Sequence, residues 1–192
     1  MDTYHVVLYV HLLSLLLGMM AGGVLVVCLL QLRAAPTLEA AMPWGMVAGK
    51  TEKAFPVAVL GLFGTGAYMT SDLWTWSTGW IDVSIAGLAI LALQGPLVGG
   101  RTAKKLEHAL MENGPGALGE AARKMTRHPG LWVTEFTNLA LVCAVVWNMT
   151  EKPSTGGAIL ALVLAYVVGA ALASRFTRAP AESLAPAARS AA

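Results

Sequence analysis

Charge is what this sequence has least of. Only 12% of its 192 residues are Asp, Glu, Lys or Arg, where a soluble domain carries about 25%. None of the four occurs between Asp2 and Arg33. A chain so short of charge cannot cover a globular surface with solvated groups. Cysteine is scarce too: Cys28 and Cys143 both lie inside apolar runs and read as buried free thiols that behave as small apolar side chains. There is no Cys-x-x-Cys, no His-x-x-x-His and no outer methionine cluster, since Met69 and Met149 stand alone. No nucleophile–base pairing, phosphate-binding loop, nucleic-acid module or 20–50-residue repeat is present, so neither an enzyme nor a nucleic-acid binder is indicated.

What is there instead is apolar length. Residues of apolar type make up 56% of the chain. A helix needs roughly 20 such residues to cross the hydrocarbon layer, because it rises about 1.5 Å per residue. Five stretches meet this, at about 4–32, 54–71, 82–100, 131–149 and 156–174. The expected fold is an all-α bundle of five transmembrane helices in one domain spanning 1–176. The Ala/Pro/Ser-rich segment 177–192 has little to bury and reads as a disordered tail. The first stretch lacks a basic leader and exceeds the length of a signal peptide's apolar core, so it reads as a retained span.

Orientation follows from the basic residues. With the N-terminus outside, the inner loops hold Arg33, Lys50, Lys53, Arg101, Lys104, Lys105, Arg123, Lys124, Arg127, Arg175, Arg178 and Arg189, and Lys152 alone is outside. The C-terminus is then cytoplasmic. Trp74, Trp76, Trp80 and Trp147 mark the outer interface and Trp44 and Trp132 the inner one, where an indole satisfies both its apolar body and its N–H. Within the long inner loop, residues 102–112 and 117–127 read as helices separated by Asn113-Gly114-Pro115-Gly116, with Glu120 and Lys124 at a supportive i,i+4 spacing. Pro129 suits the first turn of the fourth span, and Gln94-Gly95-Pro96 predicts a kink near the inner end of the third.

The third span opens on Trp80-Ile81-Asp82, a basic helical loop follows, and the fourth span closes in Val146-Trp147-Asn148-Met149-Thr150-Glu151-Lys152-Pro153. This order, with a His followed by Leu and Gly in the first span, resembles a family of uncharacterised bacterial integral membrane proteins. More distantly it is similar to copper-resistance membrane domains and small haem-protein spans. The resemblance implies five helices and a bacterial cytoplasmic (inner) membrane location, and it implies no particular activity.

Ionisable groups inside a bilayer are costly, and each is a functional candidate. His11 shares a helix face with Tyr4, Ser14, Gly18 and Gly22, a small-residue face suited to close helix packing. His5 lies about 120° away on the helical wheel, so a straight helix cannot present both to one metal. Gly61, Thr65, Tyr68 and Asp72 share a face of the second span, and Asp82 opens the third. His11, Tyr68, Asp72 and Asp82 therefore form a candidate outer-leaflet cluster. An axial haem ligand, a copper site and a proton-linked site all suit a histidine there. The plainer alternative is one interhelical hydrogen bond from His11 with the acids solvated at the span ends. No second buried histidine faces His11, so haem would need Met ligation, another subunit or His5 from a distorted turn. Glu135, one turn inside the fourth span with Thr134 and Asn138 near it, would serve a small transporter, or would reach back to Lys124, Arg127 or Arg101, or stay neutral and hydrogen-bonded. The leading expectation is a non-enzymatic accessory protein or complex subunit, with the bilayer, other membrane subunits or a second copy of the chain as partners.

Overall fold

A computed structural model of the chain describes residues 3–178, so the tail expected at 177–192 and the basic residue Arg189 fall almost wholly outside the described part. The described residues are helical almost throughout: α1 (Thr3–Ala34), α2 (Leu38–Thr51), α3 (Ala54–Leu73), α4 (Gly79–Gln94), α5 (Arg101–Glu112), α6 (Glu120–Thr126), α7 (Pro129–Glu151) and α8 (Thr155–Thr177). Five helical stretches are long and apolar enough to cross a membrane. Three of them run beyond the spans expected from the sequence: Leu38–Leu73 against 54–71, Gly79–Glu112 against 82–100 and Glu120–Glu151 against 131–149.

The helix starts are capped as their residues dictate. Thr37 Oγ1 accepts the Ala40 N–H at 3.3 Å at the start of α2, and Ser154 Oγ accepts that of Gly157 at 3.3 Å before α8. Pro129 occupies the first turn of α7, with His128 Nδ1 accepting the Gly130 N–H at 3.0 Å. α7 ends on Lys152 in the left-handed region (φ 49°), its N–H bonded to the Asn148 carbonyl at 3.0 Å. This terminates the helix inside the Met149–Pro153 turn.

α7 is the most enclosed of the five long helices. α8 and α4 pack on it, while α1 pairs chiefly with α3. The kink expected at Gln94-Gly95-Pro96 is a π-helical segment, Gly95–Gly100, running straight into α5. Pro96 has no N–H to give the ladder, and the wider turn absorbs that loss.

The basic end of the bundle is more organised than loops alone would be. α2, absent from the sequence reading, packs there with α5 and α6. A compact apolar cluster joins Leu32, Ala41, Leu106, Leu110, Leu131 and Trp132. The 34–38 turn is stitched to the 116–118 turn by Leu38 N–H to the Gly116 carbonyl at 2.9 Å and Leu118 N–H to the Pro36 carbonyl at 3.0 Å. Glu39 accepts the Gly116 N–H at 2.9 Å. α6 begins three residues later than expected, and Glu120 and Lys124 make no ion pair among the described residues. His108 Nδ1 lies 3.2 Å from Glu112 Oε2, a contact that is an ion pair only when the imidazole is protonated. Cys28 is buried as expected but Cys143 is exposed on the apolar exterior, because α7 turns that face away from its neighbours.

Candidate functional site

The small-residue face of α1 is a packing seam. Gly18 lies against Ala58 of α3 such that a Cβ placed there would sit 3.5 Å from the Ala58 Cβ, and Ser14 fills the space over Gly61. One step further along, Gly22 lets α7 approach: a Cβ there would lie 3.2 Å from Glu135 Oε1. Small residues at this spacing bring helix backbones close enough for polar side chains to meet.

His11 sits in that seam at 5% exposure, and its Nδ1 is 2.8 Å from Thr65 Oγ1. The Thr65 hydroxyl spends its own proton on the Gly61 carbonyl at 2.5 Å. It can then only accept from the ring, which assigns the imidazole proton to Nδ1 and leaves the lone pair on Nε2. The expected cluster does not assemble. Tyr68, Asp72 and Asp82 are exposed, and no hydrogen bond or ion pair ties any of them to His11 among the described residues. The cause is level: Asp72 is seven residues beyond Thr65, about 10 Å along the axis at 1.5 Å per residue. No group of three His, Cys, Asp or Glu side chains able to hold a metal ion occurs among the described residues.

A second polar group, not foreseen from the sequence, lies where α4 passes into the π segment. Gln94 Nε2 donates to Thr137 Oγ1 at 2.6 Å and to Asn138 Oδ1 at 3.3 Å, and the Tyr166 hydroxyl donates to Gln94 Oε1 at 3.2 Å. One amide thus joins α4, α7 and α8. Beside it is a cleft of about 270 Å³ bordered by Val98, Pro129, Thr134 and Tyr166. Asn148, fully buried near the other end of α7, donates to the Ala158 carbonyl at 3.5 Å, while its Oδ1 has no hydrogen-bond partner among the described residues. A lone Asn inside an apolar run was the available signal.

Glu135 is 7% exposed between α7 and Gly22. The expected reach to Lys124, Arg127 or Arg101 does not occur, and no ion pair or hydrogen bond engages its carboxyl among the described residues. The side chain points across the bundle toward α1, its Oε1 3.2 Å from where a Cβ on Gly22 would sit.

No family model, curated protein or solved structure matches this chain. Its chemistry is therefore read from these side chains alone. They are a buried imidazole, a buried carboxyl without a hydrogen bond among the described residues, the buried Asn148 amide and the half-buried Gln94 amide.

At the end opposite the basic residues, Trp74 and Trp80 stack edge to face with centroids 5.4 Å apart, and Lys152 Nζ lies 4.9 Å from the Trp74 ring. The ammonium held over an indole face joins the α3–α4 loop to the α7–α8 turn.

Proposed function

We propose that this chain is a multi-pass protein of the bacterial cytoplasmic membrane, N-terminus outside and C-terminus inside, acting as a non-enzymatic accessory protein or complex subunit. One observation carries the reading of its role: at three levels of the bundle a polar side chain directs a hydrogen bond to a neighbouring helix. His11 goes to Thr65, Gln94 to Thr137 and Asn138, and Asn148 to Ala158. Used this way, polar groups hold spans together. The orientation rests on the twelve-to-one division of Lys and Arg.

Orientation is tested with an impermeant thiol reagent on intact cells, in a Cys143→Ser background that removes the exposed native thiol. Ser77→Cys reacts from outside, and Lys105→Cys reacts only after permeabilisation. Labelling of Lys105→Cys in sealed cells refutes the orientation. The role is tested by light scattering and absorption on protein extracted in mild detergent. A subunit gives a particle larger than one chain and no visible band. A Soret band, or copper near one ion per chain, lost in His11→Ala, would replace this reading with a redox or metal protein using the His11 Nε2 lone pair.

A second reading has its own support in Glu135. An intramembrane carboxyl without a partner is the kind of group a proton or cation pathway uses, which fits a small transporter. Proteoliposomes carrying a trapped pH dye then show a potential-driven proton flux that Glu135→Gln abolishes. Flux equal to that of protein-free vesicles removes the transporter reading.

A further inference from the structure

The basic end of the bundle carries two half-buried guanidiniums, those of Arg33 and Arg127. Arg33, in the last turn of α1, is half-buried, with its guanidinium carbon 5.9 Å from the Trp132 ring and 5.8 Å from that of Phe176. Its Nη1 donates to the Phe176 carbonyl and its Nη2 to the Arg178 carbonyl at 3.3 Å. It therefore closes the C-terminal end of α8. Arg127 follows α6 directly and stands within electrostatic reach of Arg33. Its Nε is buried and has no hydrogen-bond partner among the described residues. The neighbouring carbonyl of Thr126 is taken by Trp132 Nε1 at 2.9 Å.

A guanidinium cannot shed its proton to escape this position. A buried N–H of a charged group left without an acceptor is destabilising, and the like charge of Arg33 adds to that. No ion pair with a carboxylate engages either guanidinium among the described residues. An acidic oxygen from outside the chain is what the site lacks. Arginine forks match phosphate oxygens in pairs. The setting narrows the source, because the Lys and Arg residues gathered at this end and the half-buried Trp44 fit the headgroup level, where basic pockets between spans take anionic lipid.

We propose that Arg127, with Arg33 beside it, binds the phosphate of an anionic phospholipid in the leaflet at the basic end of the bundle. The proposal rests on the membrane placement above, and the thiol labelling reports on that placement independently.

The test is native mass spectrometry of the full chain in mild detergent with added dioleoylphosphatidylglycerol, dioleoylphosphatidylcholine or inorganic phosphate. The wild-type chain retains one phosphatidylglycerol in preference to phosphatidylcholine. Arg127→Gln weakens that retention about tenfold, the loss of a charge-assisted hydrogen bond. Lys124→Gln, an exposed charge of the same loop, changes it by less than about twofold. Arg127→Lys, which keeps the charge and loses the fork, falls between. An unchanged circular-dichroism melt for Arg127→Gln ties the loss to binding and not to folding. Equal retention by Arg127→Gln and wild type overturns the proposal. So does equal retention of the two lipids, and binding of inorganic phosphate in place of lipid makes the site one for a free ion.

Discussion

Gly169→Ala puts a single methyl against bare backbone where α8 crosses α7. A Cβ on Gly169 of α8 would lie 2.7 Å from the Phe136 carbonyl oxygen and 2.8 Å from the Thr137 Cα, both backbone atoms of α7. Ordinary contact begins near 3.4 Å, so the helices must part by about 0.7 Å along the whole of their shared face. Backbone cannot rotate out of the way as a side-chain tip can. Overpacking of this kind costs about 1–3 kcal/mol, while Ala in place of Gly returns at most about 1 kcal/mol of helix propensity. A net loss of roughly 0–2 kcal/mol follows when the propensity gain is realised in full. The matched control is Gly18→Ala, whose Cβ meets the Ala58 Cβ at 3.5 Å and so fits without displacement, leaving stability unchanged or raised by up to about 1 kcal/mol. Unfolding in mixed micelles of mild detergent and increasing dodecyl sulfate measures both. Equal stability of the two variants would show that α7 and α8 do not cross on a bare backbone, and the reasoning would fail. The shift also carries Tyr166, three residues before Gly169, away from Gln94, so Tyr166→Phe should cost less in the Gly169→Ala background than alone.

Other substitutions probe the remaining contacts. Gly18→Leu should lower the melting temperature in detergent clearly more than Val24→Leu, because Val24 is 41% exposed and off the packed face; equal small effects would place the Gly18 face toward lipid. Gln94→Leu removes the amide shared by three helices and should cost about 1–2 kcal/mol in the same unfolding assay, a cost absent if the amide is merely incidental. Trp132→Phe keeps the stack on Phe176, at 4.7 Å between centroids, but leaves the Thr126 carbonyl without its donor. It should cost about 1–3 kcal/mol, and a neutral result would show that water satisfies that carbonyl.

The five long helices were legible because their physics is local: a run of apolar residues between charges defines each one. The packing face of α1 was legible as well, since Ser14, Gly18 and Gly22 recur at helical spacing and do meet α3 and α7. The His11 cluster was not. A wheel reports angle but not the relative height of two helices, and Thr65 stands at the height of His11 while Asp72 stands well above it. α2 was missed because its apolar residues, among them Met42, Met46 and Val47, are exposed and its run is shorter than a span. It reads as a loop until its Leu38–Ala41 turn is seen packed against the neighbouring turns. Gln94 was read through its neighbour Pro96 as a mark of bending, and its partners Thr137 and Tyr166 are 43 and 72 residues away. Such separations carry no periodic signal.

The central place of α7 has a consequence for how the chain is made. Spans enter the bilayer in the order of synthesis, and the helix that most of the others pack against is fourth in line. α1 and α3 can settle on one another early, through the Ser14–Gly61 and Gly18–Ala58 contacts. α4 has little to hold until α7 arrives with Thr137 and Asn138 for its Gln94. Arg33 waits longest, for the Phe176 carbonyl that lies 143 residues further on. Until α8 is made, the Arg33 end of α1 lacks this contact, even though its Ser14 and Gly18 end is already held against α3.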